Sequence, residues 1–239
     1  MIAMPQNGPV MTPAAAVPDF AIARYNMVES QLRPNKVTDP RLLDAMGSIP
    51  RELFVPSTLV GIAYNDENVP LISGRWLMQP MVLARLIQAA EIASEDHVLD
   101  LAPATGYSTL VLSKLAVSVV GVEPDAILHK EAEANMEKLA PSKATILAGA
   151  PVEGCIKRAL FDVIFINGSV EFLPEVVVDE LAEGGRLVTV MRQYGQAHAA
   201  HTGQARLYRK VGGAMSWVPL FDASIPLTPG FQMPIGFTF

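Results

Sequence analysis

The chain of 239 residues contains one cysteine, Cys155, so it forms no internal disulfide and suits a reducing compartment such as the cytoplasm. With 18 basic residues against 24 acidic ones and a formal charge of −6, it lacks the positive excess that binds nucleic acid or an anionic membrane surface. No apolar run reaches the roughly 18 residues needed to cross a bilayer. Residues 1–19 have no basic start, and Pro5, Pro9, Pro13 and Pro18 interrupt any apolar stretch, so they read as a mobile leader and not as a signal peptide. His198 and His201 have metal-ligand spacing but no nearby Cys, Asp or Glu to complete a site, and His97 and His129 have no partner in sequence. No metal site is expected, and Cys155 reads as a small buried or half-buried residue.

Half of the residues are hydrophobic, enough to bury one α/β core. Between 20 and 80, short helical patterns (23–32 and 39–46) alternate with proline-marked turns. Asp39-Pro40 supplies an N-cap followed by a helix-compatible proline. This stretch is too small for a domain of its own and reads as an N-terminal helical cap on the sheet. Pro80 opens a further helix, and the α/β domain then spans 81–239. Apolar strands at 98–101, 118–122, 144–147, 162–166 and 186–190 alternate with helices at 107–115 and 125–139. That alternation predicts an α/β, doubly wound, mostly parallel sheet. Two more strands are expected in RLYRKV and SWVPLFD. The end of the chain, with Trp217, Phe221, Phe231, Phe237 and Phe239 among prolines, should lie extended. It is expected either to be shared with a second copy in a homodimer or to pack on its own domain.

The richest stretch is VLDLAPATGY followed by SVVGVEPD. An apolar strand leads through a turn and a helix to a second strand that ends on Glu123, the wiring of a nucleotide-type βαβ unit. In such a unit the acid closing the second strand accepts ribose hydroxyls. The turn, however, reads Ala102-Pro103-Ala104-Thr105-Gly106 and carries a single glycine.

In order along the chain, DPRLLDAMGSIPRELFVP, AYNDENVPL, GRWLMQP, VLDLAPATGY and FDVIFINGSVEFLPEVVVDELAEGGRLVTVM resemble the protein-L-isoaspartate O-methyltransferase family over roughly 24–192. The resemblance implies a Rossmann-like, seven-stranded methyltransferase fold that uses S-adenosyl-L-methionine. It also implies a protein or peptide substrate, methylated on an isoaspartyl side-chain carboxylate. Such an acceptor, with a pKa of about 4, is already ionised at neutral pH, so donor and acceptor need alignment and not a general base.

By the same resemblance, the cofactor side is Asp100, Ala102, Ala104, Gly106, Tyr107, Glu123 and Ala150. Two departures stand in it: Pro103 replaces a flexible glycine turn, and Ala150 stands where the family's Gly-Asp-Gly has its acid. GRWLMQP matches Gly-Gln-Thr-Ile-Ser-Gln-Pro, which puts Trp76 at the threonine and Met78 at the serine tied to catalysis. Asp100 and Met78 thus hold the catalytic positions, and a thioether cannot grip a carboxylate as a hydroxyl can. Ser73, Arg75 and Gln79 are the candidates for holding the substrate; a solvated surface charge is the plainer reading of Arg75, and a bidentate carboxylate grip the sharper one. The alternative to an active enzyme is a non-catalytic relative that keeps the fold as a binding or assembly module.

Overall fold

The computed structural model describes residues 19–158, 160–193 and 202–233. Helix α1, Phe20–Met27, starts at Asp19, whose carboxylate accepts the N–H groups of Ala21 and Ile22. Asp19 is therefore a helix cap and not leader, and the rest of the expected leader, 1–18, lies outside the described residues. The helix continues as a π-helical segment, Val28–Leu32. Helix α2, Pro40–Ser48, opens as its sequence predicts, with Asp39 accepting the Arg41 N–H at 2.9 Å and Pro40 in the first turn.

Two short 3-10 segments, Arg51–Phe54 and Ser57–Ile62, lead into a small antiparallel hairpin of β1, Val69–Pro70, and β2, Trp76–Leu77. The sequence reading had only proline-marked turns here, because strands of two residues carry no periodicity. Helix α3, Pro80–Ala89, follows.

The main sheet is built from β3 His97–Leu101, β4 Ser118–Glu123, β5 Ala144–Ala148, β6 Phe161–Val170, β7 Leu181–Met191, β8 Thr202–Val211 and β9 Ala214–Ser224. All seven expected strands are present, in the order β5-β4-β3-β6-β7-β8-β9. Pairing is parallel from β5 to β7 and antiparallel for β8 and β9. Helix α4, Tyr107–Ser113, connects β3 to β4, and α5, Ala126–Leu139, connects β4 to β5 with Asp125 as its cap. The short α6, Glu175–Asp179, precedes β7.

Strand alternation divides the core. Val98, Val119, Val163 and Val188 face one side and join Leu32, Leu42, Met46, Phe54, α3 and α4 in one cluster. Leu99, Leu101, Val122, Ile164 and Leu187 face the other side and meet Val177 of α6 and Phe231. The 20–80 segment is thus part of the cover of one sheet face.

The described part of the tail folds onto the end of β6. The Thr228 N–H donates to the Ser169 carbonyl at 2.8 Å, and the Glu171 N–H donates to the Phe231 carbonyl at 3.0 Å. Ile225 and Phe231 are buried. Gly168 permits this approach: its φ is +143°, and a Cβ there would stand 1.8 Å from the Thr228 hydroxyl. Up to residue 233 the tail packs on its own sheet, the second of the two expectations for it. Phe237 and Phe239, like His198 and His201, lie outside the described residues. Among the described residues no helix is long and apolar enough to cross a membrane.

Candidate active site

The sheet order reverses between β3 and β6, and the crevice at the carboxyl ends of the strands on either side of such a reversal is where α/β folds take ligands. Parallel pairing sets Asp100 of β3 opposite Gly121 of β4, with Glu123 ending β4 beside Ala148 of β5. The β3–α4 turn follows a left-handed path without the expected glycines, with φ of +62° at Ala102 and +54° at Ala104, while Gly106 has +90°. Alanine in this region costs on the order of 1 kcal/mol per residue, so the turn keeps its shape because packing imposes it. Pro103 lies over Gly121, where an added Cβ would come within 3.2 Å of its ring.

Asp100 is fully buried, and its Oδ2 accepts hydrogen bonds from the Ser108 and Thr109 hydroxyls, each at 2.7 Å. Asn167 of β6 donates in turn to the Ser108 hydroxyl at 2.8 Å. The other carboxylate oxygen, Oδ1, is buried with no hydrogen-bond partner among the described residues. Burial pushes the Asp100 carboxyl up to about 7, against the pull of the two hydroxyls, and the nearby Glu123 charge adds to the rise.

Glu123 is also fully buried. Its Oε2 accepts the Ala104 N–H at 2.7 Å, and its Oε1 accepts the Asp125 N–H at 3.1 Å. The remaining donor is Arg75, whose Nη1 lies 2.7 Å from Glu123 Oε1 and whose Nη2 donates to the Ala102 carbonyl at 2.5 Å. Arg75 is 5% exposed, so the surface-charge reading is overturned, and its guanidinium is committed to Glu123, away from any acceptor carboxylate. Burial raises the Glu123 pKa, and the Arg75 charge is the largest influence opposing that rise.

The other candidates are spread around this pair. Met78 is buried beside Arg75 and Trp76 in a cavity that Asn167 and Thr228 also line. Ser73 is exposed at the hairpin tip next to Asp125, whose carboxyl it helps to hold below the usual range. The Gln79 N–H donates to Asn68 at 3.0 Å. Ala150 opens the turn after β5, just past Gly149, whose N–H donates to the Glu123 carbonyl. Tyr107 does not line the crevice: its ring is fully buried against Phe54 and under the Arg51 guanidinium.

Sequence reasoning missed Arg51 as well, a fully buried residue that donates to the carbonyls of Ala63 and Met78 and so fixes the backbone of the acceptor segment. Its signal was present in the quoted IPRELFVP motif. Asn167 lies in the FDVIFINGSV run of the same resemblance, whereas Thr228 carried no signal, because only the fold brings it to this crevice.

In this arrangement the groups that an adenosyl nucleoside would meet are partly occupied by the chain's own donors. Both Glu123 oxygens are engaged and the Ala102 carbonyl is taken.

The family model of Protein-L-isoaspartate(D-aspartate) O-methyltransferase matches residues 23–224. A protein-L-isoaspartate O-methyltransferase of Koribacter versatilis is 38% identical over 177 residues, covering 73% of this chain and 80% of its own. That of Methylorubrum extorquens is 34% identical over 212 residues, covering 87% and 92%. Among solved structures, a protein-L-isoaspartate O-methyltransferase superposes with a TM-score of 0.74 at 22% identity over 87% of this chain and 67% of its own. A Plasmodium falciparum structure, described as such an enzyme in complex with S-adenosyl-L-homocysteine, gives 0.71 at 20% identity over 85% and 97%. At these identities the two structures speak for the fold.

Proposed function

Since the chain belongs to the protein-L-isoaspartate O-methyltransferase family, we propose that it transfers methyl from S-adenosyl-L-methionine, the family's donor, to a side-chain carboxylate of a protein or peptide carrying isoaspartate. The observation that carries this reading is the pair of buried acids, Asp100 and Glu123, at the carboxyl ends of adjacent parallel strands and flanking a left-handed turn. That is the place and the chemistry with which α/β sheets take a nucleoside. The single cysteine favours a cytoplasmic setting.

The acceptor carboxylate is ionised at neutral pH and needs no base, so the protein's work is to orient it and exclude water. Arg51 holds the Met78 backbone and Met78 lines the acceptor side with a thioether, which donates no hydrogen bond. One hydrogen bond to a charged group is worth about 1.5–3 kcal/mol, so its loss slows transfer by about tenfold or more.

The test is incorporation of labelled methyl groups into an isoaspartyl peptide, with its ordinary aspartyl twin as control. Slow, isoaspartyl-dependent ester formation is expected, with Met78→Ser faster by about tenfold or more. No ester from either the parent or Met78→Ser would overturn the reading. Parent turnover of about 1 s⁻¹ or more would refute the role given to Met78.

A further inference from the structure

One side chain, Arg75, reaches Glu123 from outside the strands that carry the site. Hairpin β1–β2 turns through Ser73 and Gly74, both with positive φ, and the Arg75 N–H donates back to the Ile72 carbonyl at 2.9 Å. This tight reversal aims Arg75 across the ends of β3 and β4, where it meets a glutamate 48 residues away.

We propose that Arg75 is a built-in competitor for the nucleoside: its guanidinium stands where ribose hydroxyls would meet Glu123, so the crevice rests shut and opens to an adenosyl nucleoside when the hairpin withdraws that side chain. The inference rests on the methyltransferase reading above.

Three observations carry it. Glu123 already has two backbone donors, the N–H groups of Ala104 and Asp125, so the fold does not need Arg75 to satisfy this carboxylate. Arg75 reaches the Ala102 carbonyl as well, so a single side chain spans both the ribose acid and the turn. Near it, Asp100 Oδ1 is buried with no hydrogen-bond partner among the described residues, a polar group that the closed chain leaves unused.

The hairpin is built to move. Val69, Leu77 and Met78 are buried at its base, whereas Ile72, Ser73, Gly74 and Trp76 are exposed, and its arms are joined by two ladder pairs and the Leu71 N–H to Arg75 carbonyl bond. A segment with so few ladder bonds and so exposed a tip opens at lower cost than the sheet beneath it. Arg75 is then the chief tie that holds the tip down, through Glu123 and the Ala102 carbonyl, with the Ser73–Asp125 contact beside it.

The experiment is equilibrium dialysis of labelled S-adenosyl-L-homocysteine against the parent, Arg75→Gln and Arg75→Ala, with circular dichroism to establish that each is folded. Glutamine is the residue that the resembling motif carries at this position. Binding at least about tenfold tighter in both variants is expected, because the competitor is gone. A merely structural arginine would give the opposite sign, since its removal would loosen the site. Equal affinity in all three proteins overturns the competitor and leaves the methyltransferase reading standing; no binding by any of them at millimolar ligand overturns both. If the variants do not fold, hydrogen exchange on the parent decides. Faster exchange of the 71–77 amides with S-adenosyl-L-homocysteine supports withdrawal, and unchanged exchange refutes it.

Discussion

Asp100 makes the stability of this protein depend on pH in an unusual direction. Its carboxyl is fully buried, titrates near 7 and has one oxygen with no partner among the described residues. An unfolded aspartate titrates near 3.9, so between these values the native state holds a proton that the unfolded chain has lost. Because the folded pKa is the higher one, the stabilisation is fully present below about pH 4 and is lost as pH rises through about 7. From roughly pH 5.5 to 8.5 the native carboxyl stays protonated over about half of the window, which at 1.36 kcal/mol per pH unit amounts to about 2 kcal/mol. Asp100→Asn removes that proton while keeping an acceptor for Ser108 and Thr109. Urea unfolding of both proteins at the two ends of the window measures the difference. The parent should lose about 2 kcal/mol more than Asp100→Asn, since other titrating groups are common to both. Parallel profiles would refute a protonated Asp100.

Glu123→Ala strands the Arg75 guanidinium in a buried site and should cost about 3–5 kcal/mol in urea unfolding; a change below about 1 kcal/mol would mean that the pair is solvated. Phe231→Ala should lower stability by about 3–5 kcal/mol, because its fully buried ring closes one sheet face beside Phe172; an unchanged midpoint would mean that the tail is detached. Gly168→Ala should push Thr228 away from β6, and faster exchange of the Thr228 and Phe231 amides would report it; protection equal to the parent's would contradict the close approach.

The seven strands and the helices between them were legible because their signals are local. β3 to β7 read as apolar runs because both faces of a parallel sheet are buried, and Asp39-Pro40 and Asp125 cap the helices that follow them through bonds two or three residues away. Glu123 could be placed at the end of β4 by the same reasoning, since a strand ending on an acid after a βαβ connection is a pattern within one short segment.

What the tertiary structure alone decided depends on distance in sequence. Arg75 sits in a stretch with no periodicity, and its meeting with Glu123, 48 residues on, exists only because a two-pair hairpin is laid across the carboxyl ends of β3 and β4. Ala102 and Ala104 give no hint of positive φ, which packing around a turn imposes and residue type disfavours. The tail read as apolar and extended, but whether it would meet its own sheet or another chain turned on a glycine 60 positions earlier, Gly168, that leaves room for Thr228. Local chemistry therefore determined the elements and the acids of the site, and long-range packing determined which of those acids are free.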